Sequence, residues 1–178
     1  MTRWRVHGSR RVYASEWLNV DLDDVEIPGG ARFEHHVIRF PRTSVGAVVV
    51  DDADRVLLLW RHRFTTDAWG WEIPAGWSEI GEEPAEAVRR EVTEETGYRP
   101  AQVEPMATYS PMTGISAHRY RLFLAHGAVR VSDPDIAESE RVEWVSVDKV
   151  PELAAQGLIP DGPSLTALTY YLTVTRRT

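Results

Sequence analysis

The sequence predicts an α/β domain preceded by a β-rich section. Three observations carry this. Apolar and polar residues alternate across much of 18–40. Two short apolar runs stand at 45–50 and 56–60. An acidic stretch with helix signals lies between Gly76 and Tyr98, with further strand patterns after it.

The bulk properties bound the answer. A chain of 178 residues is long enough for one domain with a substantial core. Hydrophobic residues at 43% and charged residues at 26% fit a soluble globular class. A net charge of -7 argues against broad electrostatic binding to a nucleic-acid polymer or an acidic membrane. A small phosphorylated ligand held by local arginines and a metal stays compatible. There is no cysteine, so disulfides and thiol nucleophiles are excluded. The basic residues of MTRWRVHGSRRVY are followed by no apolar run, so a secretory signal is not expected. No apolar stretch has the length of a membrane span. A cytoplasmic protein without a membrane partner is the expectation.

The elements follow in order. Residues 1–44 read as a β-rich N-terminal section and 45–178 as the main domain. Leu18, Val20 and Leu22 alternate with polar residues, as in a half-buried strand. Val25 and Ile27 lead to the turn Pro28-Gly29-Gly30, and Phe33 to Phe40 returns as a hairpin strand. Val45 to Val50 and Val56 to Trp60 read as buried strands joined by the turn Asp51-Asp52-Ala53-Asp54. That turn lacks the acidic twelfth position of a calcium loop. Arg61 and Arg63 end the second strand, where guanidinium groups can grip phosphate through paired N–H donors and equally serve as surface charges closing a strand. Trp69 and Trp71 offer flat rings for a base, and equally serve as core residues.

The stretch from Gly76 to Tyr98 carries the chemistry. Pro84 suits a first helical position, Glu82 and Glu83 suit a positive helix N-terminus, and Gly97 suits the left-handed residue past its end. Ala85, Val88 and Val92 form the apolar stripe. At about 100° per residue, Glu91 and Glu95 point within about 40° of each other at the edge of that stripe, with Glu94 further round. Two carboxylates one turn apart repel, and a hard cation such as Mg²⁺, or Mn²⁺ as a substitute, relieves that repulsion. A solvated acidic face laced by Glu–Arg pairs is the alternative.

After it, Met106 to Tyr109, Tyr120 to Leu124 and Arg141 to Val147 read as strands. Ser110 to Ser116 is a loop, and Ser132 to Ser139 is a polar, acidic one. Asp161-Gly162-Pro163 opens a closing helix with Leu165, Leu168 and Leu172 on one stripe.

The spacing G-x5-E-x7-R-E-U-x-E-E-x-G-U, with U a large apolar or aromatic residue, is met by Gly76, Glu82, Arg90, Glu91, Val92, Glu94, Glu95, Gly97 and Tyr98. This resembles the Nudix box. The lead-in Glu72-Ile73-Pro74-Ala75-Gly76, the RQYR-like strand end at Arg61-His62-Arg63, and Ser110-Pro111 resemble the ADP-ribose pyrophosphatase group of that superfamily. Met112-Thr113 and Ala117-His118 depart from the group's pattern of a glycine after the proline and then an acidic residue.

The resemblance implies an α/β/α sandwich around a mixed sheet, with the N-terminal antiparallel section added and serving a homodimer. It implies a Mg²⁺ site from Glu91, Glu95 and the Ala75 carbonyl. It places Arg61, Arg63, Trp69, Trp71, Glu72 and Pro111 at the substrate, and draws the proton acceptor from Glu94, Glu95, Glu138 and Glu140. Gly76, Glu82, Arg90 and Gly97 then hold the box together. The implied reaction is hydrolysis of the pyrophosphate bond of a nucleoside diphosphate linked to another moiety, ADP-ribose or a nucleotide sugar first. A pool-cleaning (d)NTP pyrophosphohydrolase and a non-catalytic nucleotide sensor are the alternatives.

Overall fold

The computed structural model describes residues 2–134 and 139–176. Among these are twelve strands and three α-helices: β1 (Arg5–Ala14), β2 (Asn19–Glu26), β3 (Arg32–Arg39), β4 (Ser44–Val49), β5 (Arg55–Arg63), β6 (Ala68–Glu72), β7 (Ala75–Trp77), α1 (Pro84–Thr96), β8 (Tyr98–Arg99), β9 (Gln102–Tyr109), β10 (Tyr120–His126), β11 (Val129–Arg130), β12 (Arg141–Ser146), α2 (Val150–Ala155) and α3 (Gly162–Tyr170). They form two compact units. One takes the chain up to Thr43 with Ser110–Arg119; the other takes Ser44–Tyr109 and the chain from Tyr120 onward.

The first unit is an antiparallel sheet in the order β1-β2-β3. β1 has no counterpart in the sequence reading. All ten of its residues are exposed, so no face selects apolar side chains and no alternation marks it. β2 alternates as expected, but its most buried positions are Asp21, Asp23 and Val25, while Val20 and Leu22 are half-buried. The two aspartates are tolerated there because they are paired. Arg39 Nε donates to Asp21 at 2.8 Å and its Nη2 to Asp23 at 2.7 Å, and Arg11 Nε donates to Asp21 at 2.9 Å. Segment 110–119 is pinned to β3: the Ile38 N–H donates to the Ile115 carbonyl, and Ser116 Oγ donates to the Ile38 carbonyl. His118 is half-buried against Phe40, with ring centres 4.7 Å apart, and burial pushes its imidazole pKa down.

The second unit is built on β4, all six residues of which are buried. In the sheet β7-β4-β10-β9, β4 runs parallel to β10 and the other pairs are antiparallel, so the sheet is mixed. Successive side chains leave β4 on opposite faces. Val45, Ala47 and Val49 pack with Ala87, Val88 and Val92 of α1. Val48 and Val50 pack with Val150 of α2 and Ala167 and Leu168 of α3. Helices therefore cover both faces, which is the α/β/α sandwich. β5 joins β12 and β6 in a second, antiparallel sheet and gives Leu57 to one core and Val56 and Leu58 to the other.

The closing helix begins as expected, with Asp161 accepting the Ser164 N–H at 2.8 Å. Its buried positions are Ser164, Ala167 and Leu168, continued by Tyr171 in a π-type turn. Leu165, expected on the buried stripe, is exposed. Small residues at 164 and 167 bring the helix close to its neighbours, and the Ile73 N–H donates to Ser164 Oγ. No helix among the described residues is long and apolar enough to cross a membrane.

Candidate active site

The box residues are placed by α1 and the strand before it. α1 starts at Pro84 and ends at Gly97, whose φ of 75° is the left-handed conformation glycine adopts without strain. Gly76 is required for room. A Cβ there would stand 2.2 Å from Glu91 Cδ, so the space of the missing side chain holds the Glu91 carboxylate.

Arg90 is the hub of the loop and helix. Its Nε and Nη2 donate to the two oxygens of Glu82 at 3.1 Å each, and Nη2 also donates to the Trp77 carbonyl at 3.0 Å. Its Nη1 donates to Glu91 at 2.9 Å and to Glu94 at 3.0 Å. Glu82 also accepts the Glu79 N–H. The Arg90 hydrogen bonds hold the Glu82 carboxyl below the usual range.

The carboxylates on α1 differ in burial. Glu94 is exposed and borders a surface depression of about 320 Å³ lined by Arg89, Arg90, Thr93 and Arg99. Glu91 is largely buried; burial pushes its pKa up, with Arg90 and the Trp77 N–H opposing. Glu95 is the most enclosed. Arg61 Nη2 donates to its Oε1 at 2.7 Å and the Ala75 N–H donates to its Oε2 at 2.8 Å. Burial outweighs both partners and pushes its pKa up to about 7 from an ordinary 4.5.

That shift has a stability consequence. A carboxyl whose folded-state pKa lies above its unfolded value binds its proton more tightly in the folded protein. The associated stabilisation is complete below about 4.5 and is lost as pH rises through about 7. In EDTA, the wild-type melting temperature is expected to fall relative to Glu95→Gln across this window. Parallel pH profiles in thermal melts would contradict the assignment.

β5 organises the opposite wall. Arg61 and Arg63 leave the strand on one face. Arg63 Nε donates to Glu72 at 2.8 Å and its Nη2 grips the other oxygen, a bidentate pair on a buried carboxylate. Trp60 pairs directly with Trp71, and His62 with Trp69, so these four share the other face of β5 and β6. Trp71 is buried in the core, Trp69 stacks on Trp60, and the Arg141 guanidinium lies 5.2 Å from the Trp71 ring centre. The two tryptophans expected at the substrate thus stand on the side away from Arg61, Arg63 and Glu95.

Of the remaining expected residues, Glu140 is exposed just before β12, with its N–H on the Trp60 carbonyl. Glu138 lies outside the described residues. Pro111 belongs to the first unit and is exposed in a turn. Ala75 contacts Glu95 through its N–H. One neighbour escaped the sequence reading. The buried Tyr120 phenol is pushed well above its usual pKa by burial, then by the charge of Asp161, with Glu95 and Glu72 adding to it. It reads in sequence as an ordinary strand residue.

The arrangement suits a hard cation. Burial raises the proton affinity of both Glu91 and Glu95, so their present partners under-compensate them. Among the described residues no cluster of three or more acidic, histidine or cysteine side chains could hold an ion. An ion held by Glu91 and Glu95 would have to draw its other donors from backbone oxygen and water, as an ion that keeps several waters does.

Known proteins resemble this chain in sequence and in fold. Residues 40–167 match the model of the NUDIX domain, and residues 4–38 match the nucleoside diphosphate sugar hydrolase N-terminal domain. The CMP-5'-(N-acetyl-N-hydroxy-3-aminopropyl)phosphonate hydrolase of Streptomyces rubellomurinus is 42% identical over 156 residues, covering 87% of this chain and 75% of the relative. The ADP-ribose pyrophosphatase of Bacillus subtilis is 27% identical over 141 residues, covering 79% and 76%. A solved ADP compounds hydrolase superposes with a TM-score of 0.87 over 99% of this chain and 96% of its own, at 18% identity, and so shares the fold. Nudix hydrolases as a class need divalent metal ions. With an intact box, the sandwich around β4 and these matches, the chain belongs to the Nudix hydrolase family and is an enzyme of its pyrophosphatase kind.

Proposed function

We propose that the protein is a Mg²⁺-dependent hydrolase of the pyrophosphate bond in a nucleoside diphosphate linked to another moiety, with ADP-ribose or a nucleotide sugar as substrate. The observation that carries this is the pair Glu91 and Glu95, one helical turn apart, with Glu91 half-buried against Gly76 and Glu95 buried between the Ala75 N–H and Arg61 of β5. The match of residues 4–38 to the N-terminal domain of nucleoside diphosphate sugar hydrolases supports the substrate class.

In this reading Glu91, Glu95 and the Ala75 carbonyl hold the ion. An ion held there would supply positive charge against the diphosphate oxygens and a lowered pKa for a water near phosphorus. Arg63, already fixed by Glu72, presents guanidinium charge to the phosphates. Glu94, exposed and oriented by Arg90, takes the proton from the attacking water. Water adds to one phosphorus, the bridging P–O bond breaks, and two phosphorylated products leave. Glu82, Arg90, Gly76 and Gly97 keep these groups in place.

A second reading has a CMP-linked phosphonate as substrate, favoured by the 42% identical relative. We also take the protein as a cytoplasmic homodimer. The exposed apolar side chains Trp4, Val6, Val12 and Tyr13 on and beside β1 support a partner for that sheet. Hydrolysis of ADP-ribose, sugar nucleotides, CMP-linked phosphonates and (d)NTPs with Mg²⁺ tests the substrate. AMP from ADP-ribose, or the nucleoside monophosphate from a sugar nucleotide, is the expected product. Release of pyrophosphate from (d)NTPs alone would overturn this substrate class.

A further inference from the structure

We infer that the Tyr120 hydroxyl donates a hydrogen bond to a phosphate oxygen of the substrate. The inference rests on the diphosphate reaction proposed above and adds an uncharged donor to it.

Tyr120 opens β10, and its side chain lies over β4. A Cβ at Gly46 would stand 3.0 Å from the Tyr120 hydroxyl and 3.0 Å from Ile73 Cδ1. Glycine at 46 therefore lets the phenol cross the strand. Gly46 pairs directly with Ala75, so the hydroxyl comes to segment 72–75. That segment carries two parts of the site: Glu72 holds Arg63, and the Ala75 N–H donates to Glu95. The ring itself is fixed by packing, stacked on Tyr109 with centres 5.6 Å apart.

The hydroxyl, by contrast, has no structural task. Tyr120 is only 7% exposed. Its hydroxyl makes no hydrogen bond among the described residues, yet it is not one of the atoms sealed in the core, so a ligand atom can reach it. A buried phenol ordinarily finds a partner, and leaving one unpaired is costly. Phenylalanine would meet the packing requirement alone. Burial, and then the charges of Asp161, Glu95 and Glu72, keep the phenol protonated. A diphosphate brought to this carboxylate-rich wall needs proton donors, and a protonated phenol offers one to an anionic oxygen.

The test compares wild type with Tyr120→Phe, which keeps the ring and removes the hydroxyl. The substrate is whichever of ADP-ribose, a sugar nucleotide or a CMP-linked phosphonate wild type hydrolyses. On it kcat/KM is expected to fall at least about tenfold, since a hydrogen bond to a charged group is lost. The melting temperature without substrate is expected to stay within about 3 °C of wild type or to rise. Lost activity with kept stability is a result that a packing role does not give. Unchanged kcat/KM overturns the inference and leaves the proposed reaction standing. A larger drop in melting temperature means that the hydroxyl has a structural partner, and overturns the inference too. Wild type that hydrolyses none of the three substrates overturns the proposed reaction and this inference together. A second measurement reads the contact in wild type. The Tyr120 ¹³Cζ NMR signal, assigned by its absence from Tyr120→Phe, is expected to shift when a methylene-bridged analogue of the substrate saturates the protein. A signal that does not move overturns the inference.

Discussion

Glu95→Gln is expected to lower kcat/KM roughly a thousandfold at saturating Mg²⁺, since a metal contributes several kcal/mol to a transition state of this charge. The amide removes a charged oxygen donor. It also creates a conflict that the carboxylate does not have. Glu95 accepts from Arg61 on one oxygen and from the Ala75 N–H on the other. A glutamine turns its oxygen to one and sets its NH₂ against the other donor. Arg61 loses the Glu95 charge beside it, and breaking a buried pair costs about 3–5 kcal/mol. A lower melting temperature in EDTA is therefore expected alongside the lost activity in Mg²⁺. Steady-state kinetics with thermal melts separate the two effects, because a folded variant at assay temperature still shows the kinetic loss. Activity within about tenfold of wild type would remove Glu95 from the metal site.

Gly76→Ala is the second large effect. The added methyl meets the Glu91 carboxylate at 2.2 Å, well inside contact distance. Either Glu91 leaves its place or β7 shifts away from α1. A displacement of about 1 Å at a reacting centre costs on the order of a hundredfold in rate. The loss is expected mainly in kcat, with the Mg²⁺ concentration for half-maximal rate rising as well. Near-normal kinetics would mean that Glu91 does not need the position it holds. Gly97→Ala provides a contrast. Its strain comes from a φ of 75° and a Cβ only 2.4 Å from the Ser132 carbonyl, so stability is expected to suffer before catalysis.

The parts of this fold that could be read in sequence are those where one local pattern fixes the environment. β4 and the middle of β5 are buried on both faces, so each appears as an uninterrupted apolar run. α1 shows its proline start, its glycine end and its apolar stripe because all three are local. The box residues follow from spacing alone. What escaped depends on register and on pairing across the chain. β1 is a strand with no buried face, so composition gives it no signature. The inward aspartates of β2 are readable only once Arg11 and Arg39 are known to meet them. Trp69 and Trp71 lie near Glu72 and Gly76 in sequence, yet their pairing with His62 and Trp60 sends them to the other face of the sheet. Arg61 and Glu95 are 34 positions apart, and nothing in either local stretch announces their contact.

The measurement that bears most directly on this account is ³¹P NMR of ADP-ribose incubated with the protein in ¹⁸O-water, once with Mg²⁺ and once with EDTA. The expected result with Mg²⁺ is replacement of the diphosphate signals by two monophosphates, one of them carrying a single ¹⁸O, and an unchanged diphosphate with EDTA. The same cleavage in EDTA would contradict a site built on Glu91 and Glu95 for a divalent ion. An intact diphosphate with ADP-ribose, sugar nucleotides and CMP-linked phosphonates alike would contradict the proposed reaction.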